Sequence, residues 1–347
     1  MTADARLATD LLGARTPAGR AWRRFCSHRL ALASLFLLAV LAGLALAGPW
    51  IAVWRDIDPT ATDLLARLEP PSARYWLGTD DVGRDVFQRL LDGGRISLLV
   101  GLVAALLSAV IGTVVGVLAG FIGGRLDSLL MRLTDSVIAL PLLPLLIVLA
   151  AIDVRKLGAS DSFAQSDLLS LYRIIIIVAL TGWTTVARLV RAETLSLKTR
   201  DFVRAATALG ASPLRLMLRH ILPNAASPIV VATTLSVGNI VLFESVLSFL
   251  GLGIQPPHAS WGNMLTGAQD FIWNVPLLAL WPGLLIFLAV IAFNFVGDGL
   301  QDALDPRAER RWAFVTLYLP RLRGKVPEGR MGDAATVSSF DGEPHFR

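Results

Sequence analysis

The residues that could do chemistry are few here, and their spacing argues against catalysis. Gly78 and Gly83 have the separation of a phosphate loop, but Arg84 and Asp85 follow where Lys and Ser or Thr would hold nucleotide phosphates and magnesium. None of the three lysines, Lys156, Lys198 and Lys325, lies in such a loop. His28, His220, His258 and His345 are scattered, at no spacing suited to a metal site or a nucleophile–base pair. Cys26 is the one cysteine, so neither an intrachain disulfide nor a Cys-based metal site is possible. The expectation is a chain with no catalytic residue, no cofactor and no metal.

What stands out instead is polarity inside apolar runs. An ionisable group near a bilayer centre costs roughly 2.5–3.5 kcal/mol on insertion scales, so it needs a partner or a wet cavity. Glu244, with Asn239 five residues earlier, is the sharpest case, and two roles are open. It lines or gates a translocation path, or it makes an interhelical hydrogen bond that fixes packing. Arg132 and Asp135 are three apart and predict an ion pair on one face. Arg173 and Arg188 bracket another run and can snorkel to the two interfaces. Asn294 and Asp298 suit helix capping or a contact with a neighbouring subunit.

These side chains must be positioned by membrane spans. Hydrophobic residues make up 54% and charged residues 17%, with a mean hydropathy of +0.61, which is outside the soluble range. Six apolar runs, roughly 30–53, 96–122, 129–152, 171–190, 227–249 and 273–296, each reach the ~20 residues a helix needs to cross a bilayer. The fold class is therefore an all-α integral membrane protein. The first run follows six Arg and a 29-residue front too long for a usual signal peptide, so it reads as a retained anchor.

Charge sets the orientation. With residues 1–29 inside, the N-terminal tail, the short loop at Arg125, the Arg188–Arg219 stretch and the tail 306–347 carry six, one, seven and eight Lys/Arg. The opposite loops carry none from Gly251 to Phe271, two from Asp153 to Tyr172, and six from Trp54 to Arg95, the last balanced by eight carboxylates. Both termini are thus expected in the cytoplasm, and the formal charge of +5 reflects anionic lipid and a partner subunit rather than nucleic acid. The tail holds Trp312–Leu319, suited to the membrane surface, and a polar Gly324–Arg347 expected to be disordered.

Between the fourth and fifth runs, residues 191–224 form the most distinctive element. Phe202, Val203, Ala205, Ala206 and Leu209 fall on one side of a helix, and Gly210 stands where a helix ends in positive φ. Ser212 and Pro213 start a second helix, with Pro223 expected to close it. Two capped helices joined tightly make a docking knob. The spacing of Ala205, Ala206 and Gly210, with Ile221, Leu222 and Pro223 downstream, resembles the signature cytoplasmic loop of binding-protein-dependent ABC importer permeases. Arg204 stands where that family usually has Glu.

A second segment, Trp76–Gly101, carries Thr79 as an expected helix cap, an apolar stripe from Val82 to Leu91, pairs Asp81–Arg84 and Asp85–Arg89, and Gly93 and Gly94 at its end. Gly78, Thr79, Asp80, Gly83, Arg84, Asp85, Arg89, Gly94 and Ser97 resemble the external access motif of the dipeptide, oligopeptide and nickel permeases. Phe243–Leu265 and Phe293–Arg307 resemble the same branch, so the likeness runs from about Arg23 to Arg307. It implies a type I importer permease fold with a coupling-helix loop. It also implies a second related permease, two ATPase subunits, an external solute-binding protein, and peptide transport across the bacterial cytoplasmic membrane by alternating access. Nickel is the alternative substrate, and an ion-driven secondary transporter the alternative class. Gly101, Ser108, Gly112, Gly116 and Gly120 suit close helix packing.

Overall fold

A backbone that cannot hydrogen-bond to water in a bilayer must satisfy itself, which favours helices. The computed structural model describes residues 17–152 and 169–304. The front of the N-terminal tail, residues 153–168 and the tail with Trp312–Leu319 and Gly324–Arg347 lie outside the described residues.

A short amphipathic helix, α1 (Pro17–Ser27), precedes α2 (Arg29–Arg55). With α2, the helices α3 (Val86–Ile122), α6 (Leu169–Lys198), α8 (Pro213–Phe249) and α10 (Leu277–Leu304) are each long and apolar enough to cross a membrane. The third run is not one straight helix. Its halves, α4 (Gly124–Ala139) and α5 (Leu142–Ala151), meet at 90°. Pro141 lies at the bend and pushes Leu140 to extended backbone (φ −77°, ψ 135°). Two short helices, α7 (Asp201–Ala208) and α9 (Trp261–Ala268), lie in the connections.

The core forms where α3, α6 and α8 meet, with Val100, Ala104, Ile174, Val178, Val241 and Leu247 buried together. A second cluster joins α2, α3, α9 and α10 through Leu41, Leu90, Trp261 and Ala289. The small residues of α3 set its approach to α6. A Cβ on Gly112, Gly116 or Gly120 would come within 3.0 Å of α6 atoms at Trp183–Ala187, Ala187–Arg191 and Arg191–Thr194 respectively. Because contacts advance together along both helices, α3 and α6 run parallel. One end of the bundle therefore carries residues 56–85 and 250–276, and the other carries the α6–α8 connection.

The expected Arg132–Asp135 pair is not formed. Asp135 pairs with Arg188 at 2.5 Å, and Asp127 takes Arg191 in two bonds of 2.5 and 2.7 Å, so both carboxylates of α4 bind α6. Arg173 donates to the Leu252 carbonyl at 3.1 Å. Arg173 and Arg188 thus end on protein acceptors rather than snorkelling, as a guanidinium does when a planar match is within reach.

Candidate functional site

The hairpin starts from α7. Gly210 has φ +82°, and its N–H reaches the Thr207 carbonyl at 2.9 Å while Ala211 N–H reaches Ala206 at 3.0 Å, closing the helix. The Ser212 hydroxyl accepts from the Arg215 N–H at 3.4 Å, with Pro213 in the first turn. The expected single apolar face divides in two. Val203 is buried against its own chain, whereas Phe202 (42% exposed) and Leu209 (89%) face outward with Ala205. Leu214 and Leu218 are exposed too, as are Arg200, Arg204, Arg215 and Arg219. Arg204 makes no ion pair among the described residues.

Pro223 does not close the second helix. A π-helical turn, Leu216–Ile221, carries the chain straight into Leu222–Phe249. Pro223 falls in the first turn after it, where the ladder has slipped by a residue and a missing N–H is cheap. Ile221 is fully buried, grouped with Leu197 and Ala225. The second half of the hairpin is therefore the root of a span.

At the other end, the charges of residues 79–89 are turned inward. The Thr79 hydroxyl donates to the Ala66 carbonyl at 2.5 Å and accepts from Glu69 N–H at 2.8 Å. Asp80 accepts from the Val82 and Arg84 amides at 3.0 and 2.9 Å, and from Arg84 Nε at 2.8 Å, with Arg89 Nε at 3.3 Å. Asp85 caps α3 by accepting from Gln88 N–H at 2.6 Å and takes both terminal nitrogens of Arg55 at 3.3 and 2.9 Å. Arg55 also lies 4.4 Å from the centre of the Trp76 ring.

Several expectations change here. Thr79 is not a helix cap; α3 begins at Val86, and no separate interfacial helix precedes it. The pairs are Asp80–Arg84, Asp80–Arg89 and Asp85–Arg55 rather than 81–84 and 85–89. Burial explains the change, since a desolvated charge must find the partner with the best geometry, local or not. Gly93 and Gly94 lie inside α3 because Trp261 packs there; a Cβ on Gly94 would come 2.8 Å from its ring. Gly83 is equally constrained, at φ +82° with the Asp63 carbonyl where a Cβ would go.

Glu244 is fully buried. Ser97 donates to its Oε2 at 2.8 Å and Ser248 to its Oε1 at 2.7 Å. Ser97 also accepts from Trp261 N–H at 3.3 Å and Ser248 from Ile254 N–H at 3.0 Å, so one carboxyl ties α3, α8 and the loop before α9. Asn239 is exposed on another face of α8, and the structure does not bring the two together. Sequence reasoning missed Arg55, Trp76 and Trp261; a lone arginine closing an apolar run was the available signal for the first.

Residues 112–310, which hold the hairpin and Glu244, match the family described as binding-protein-dependent transport system inner membrane component. The chain belongs to this family. Residues 16–71 of this inner membrane component also match the N-terminal transmembrane domain of oligopeptide transport permease C. It is 41% identical over 295 residues to a protein of Brucella suis named as a peptide permease, covering 84% of this chain and 92% of that one. It is 40% identical over 291 residues to a dipeptide transport system permease protein of Bacillus subtilis, covering 84% and 86%. It is also 40% identical over 273 residues to a nickel transport system permease protein of Escherichia coli, covering 79% and 92%.

Proposed function

We propose that the chain is one of two related permease subunits of an ATP-driven ABC importer that moves peptides across the cytoplasmic membrane. It works with two ATPase subunits and an external solute-binding protein. The observation that carries this reading is the hairpin: a capped α7 and the root of α8 expose Phe202, Ala205, Leu209, Leu214 and Leu218 together with Arg200, Arg204, Arg215 and Arg219. Exposed apolar side chains together with arginine are the composition of a docking surface. ATP hydrolysis belongs to the partners, and alternating access follows when their closure moves the hairpin.

Peptide is favoured over nickel because the six apolar runs contain no His or Cys to hand a nickel ion across. The buried hydroxyl shell of Glu244 supports a packing role for it, leaving exposed Asn239 as the candidate on α8 for the translocation path or the second permease. The inward-turned charges of Thr79–Arg89 support a structural role for the access motif, which pins residues 56–85 over the bundle.

Reconstitution tests the reading. Proteoliposomes holding the chain and its partners should take up tripeptide with ATP inside and a binding protein outside; uptake that needs no ATPase and collapses with an ion gradient would assign a secondary transporter. Arg204→Glu gives a finer test. Reversing an exposed charge should weaken ATPase retention roughly fivefold at low ionic strength and much less at high salt, as screening requires. Equal losses at both salts would remove the electrostatic contribution.

Orientation is also part of the proposal. In a Cys26→Ser background, Leu65→Cys, at a position 97% exposed in the 56–85 segment, should react with an impermeant thiol reagent in intact cells. Ala205→Cys should react only after permeabilisation. The reverse pattern would invert the topology.

A further inference from the structure

At the hairpin end of the bundle, the amphipathic helix α1 has no part in the transport reading. Phe25 is 4% exposed and lies with Ala31, Val296 and Ala303, so α1 is held against the last turns of α10. His28 alone separates α1 from α2. Its backbone is extended (φ −86°, ψ 94°), and its Nδ1 accepts from the Ala31 N–H at 3.1 Å, which caps α2. The helix is thus broken where the first span begins, and the contact of Phe25 with α10 keeps α1 beside the end of that span.

Two observations say what α1 meets there. Trp22 stacks on Phe25 with ring centres 6.0 Å apart and is nonetheless 62% exposed. Leu30, in the first turn of α2, is exposed as well. An indole left open beside the first turn of a span is the side chain that settles at the headgroup level of a bilayer. The second observation is charge. Arg20, Arg23 and Arg24 follow the three-and-four spacing of one helical face, and Arg23 is exposed, as is Arg29 at the start of α2. The carboxylates on the adjoining turns of α10 are Asp298 and Asp302, both exposed, with Asp302 3.8 Å from His28 Nε2. Four arginines against two aspartates leave this corner positive. A basic helix with an open aromatic edge at the end of a span is complementary to a negatively charged membrane surface.

We propose that α1 is a membrane-surface helix that binds anionic phospholipid at the hairpin end, with Trp22 among the headgroups and the arginines on their phosphates. Through Phe25, the bound lipid then helps to hold the last turns of α10. Each arginine near an anionic surface is worth roughly a fivefold change in partitioning. Three or four together are enough to select phosphatidylglycerol over a neutral lipid. This holds whatever the chain transports and whichever ATPase it meets.

The experiment uses the full chain in two sets of nanodiscs, phosphatidylcholine alone and phosphatidylcholine mixed with phosphatidylglycerol. Cys26 is exposed on α1 and is the one thiol in the chain, so a nitroxide placed there reports on this helix. In the mixed discs the label should be shielded from a water-soluble nickel chelate and open to oxygen, which partitions into lipid. Native mass spectrometry of the unlabelled chain should find phosphatidylglycerol retained in preference to phosphatidylcholine. Arg23→Gln with Arg24→Gln should cut that retention at least about tenfold and return the label toward water. Arg23→Lys with Arg24→Lys keeps the charge and should keep most of the retention. Should the glutamine variant fail to fold, raising the salt on the unsubstituted chain makes the same test, because screening must weaken the retention. Equal access of the nickel chelate in both sets of discs, no preference for phosphatidylglycerol, or a preference indifferent to the glutamine pair or to salt overturns the proposal. A helix that awaits a partner protein instead gives the first of these results.

Discussion

Replacing Gly116 with leucine is expected to prevent the chain from reaching its folded state. A Cβ there would lie 2.6 Å from the Ala187 carbonyl oxygen, 2.8 Å from the Val190 Cβ and 3.0 Å from the Arg191 nitrogen. Two of these are backbone atoms of a helix and cannot rotate away. Overpacking a core typically costs about 1–3 kcal/mol, and a site walled by backbone belongs at the top of that range or above it. Without a hydrophobic effect between helices in lipid, close approach through small residues is much of what holds such a pair together. The measurement is the monodisperse fraction after detergent extraction, with the thermal midpoint of what survives. Gly43→Leu, where a Cβ meets nothing within 4 Å, is the matched control and should behave as wild type. A Gly116→Leu chain as stable as that control would show that α3 and α6 do not touch through these glycines.

Gly210→Val should leave insertion and fold intact and still abolish uptake. The space around Gly210 is open, so no clash arises within the chain. The injury is to the backbone: at φ +82° a β-branched residue is an outlier costing roughly 1 kcal/mol or more. The two carbonyl bonds that end α7 would loosen, and the outward patch of Phe202, Ala205 and Leu209 would lose its fixed angle to Leu214 and Leu218. In the docking reading, ATPase retention on the purified permease then falls in step with uptake. Gly210→Asn, which tolerates positive φ better, should be intermediate. Full ATPase retention and normal uptake by the valine variant would falsify the coupling role.

Both arguments were partly legible in the sequence, for the same reason. Four-residue spacing at Gly112, Gly116 and Gly120 marks one helix face, and Gly210 before Ser212-Pro213 marks an end and a start; such signals are local. Pairing across the chain is not. Asp85 looked like a partner for Arg89 four residues on, but burial gave it Arg55, thirty residues back. Gly93 and Gly94 looked like a stop because nothing nearby in sequence announces Trp261. Pro223 misled in the opposite way: a helix breaker by type, it sits just past a π turn that makes its missing hydrogen irrelevant. Glu244 was visible as an anomaly, yet its resolution needed Ser97, 147 residues away.

The continuity of the hairpin with α8 has a mechanical consequence. Pro213–Phe249 is one helical unit of 37 residues, about 55 Å at 1.5 Å per residue. It is a lever rather than a string. Its near end carries the outward leucines, and its far end is fastened at Glu244 to Ser97 on α3 and, through Ser97, to Trp261. Each degree of tilt about its middle moves both ends by about 0.5 Å in opposite directions. A few degrees supplied by a closing partner would be enough to stretch the 2.8 Å hydrogen bond from Ser97 to Glu244 beyond its working range. The buried carboxyl would then act as a latch that releases at a set angle, so the end of the bundle opposite the hairpin yields abruptly rather than in proportion to the push.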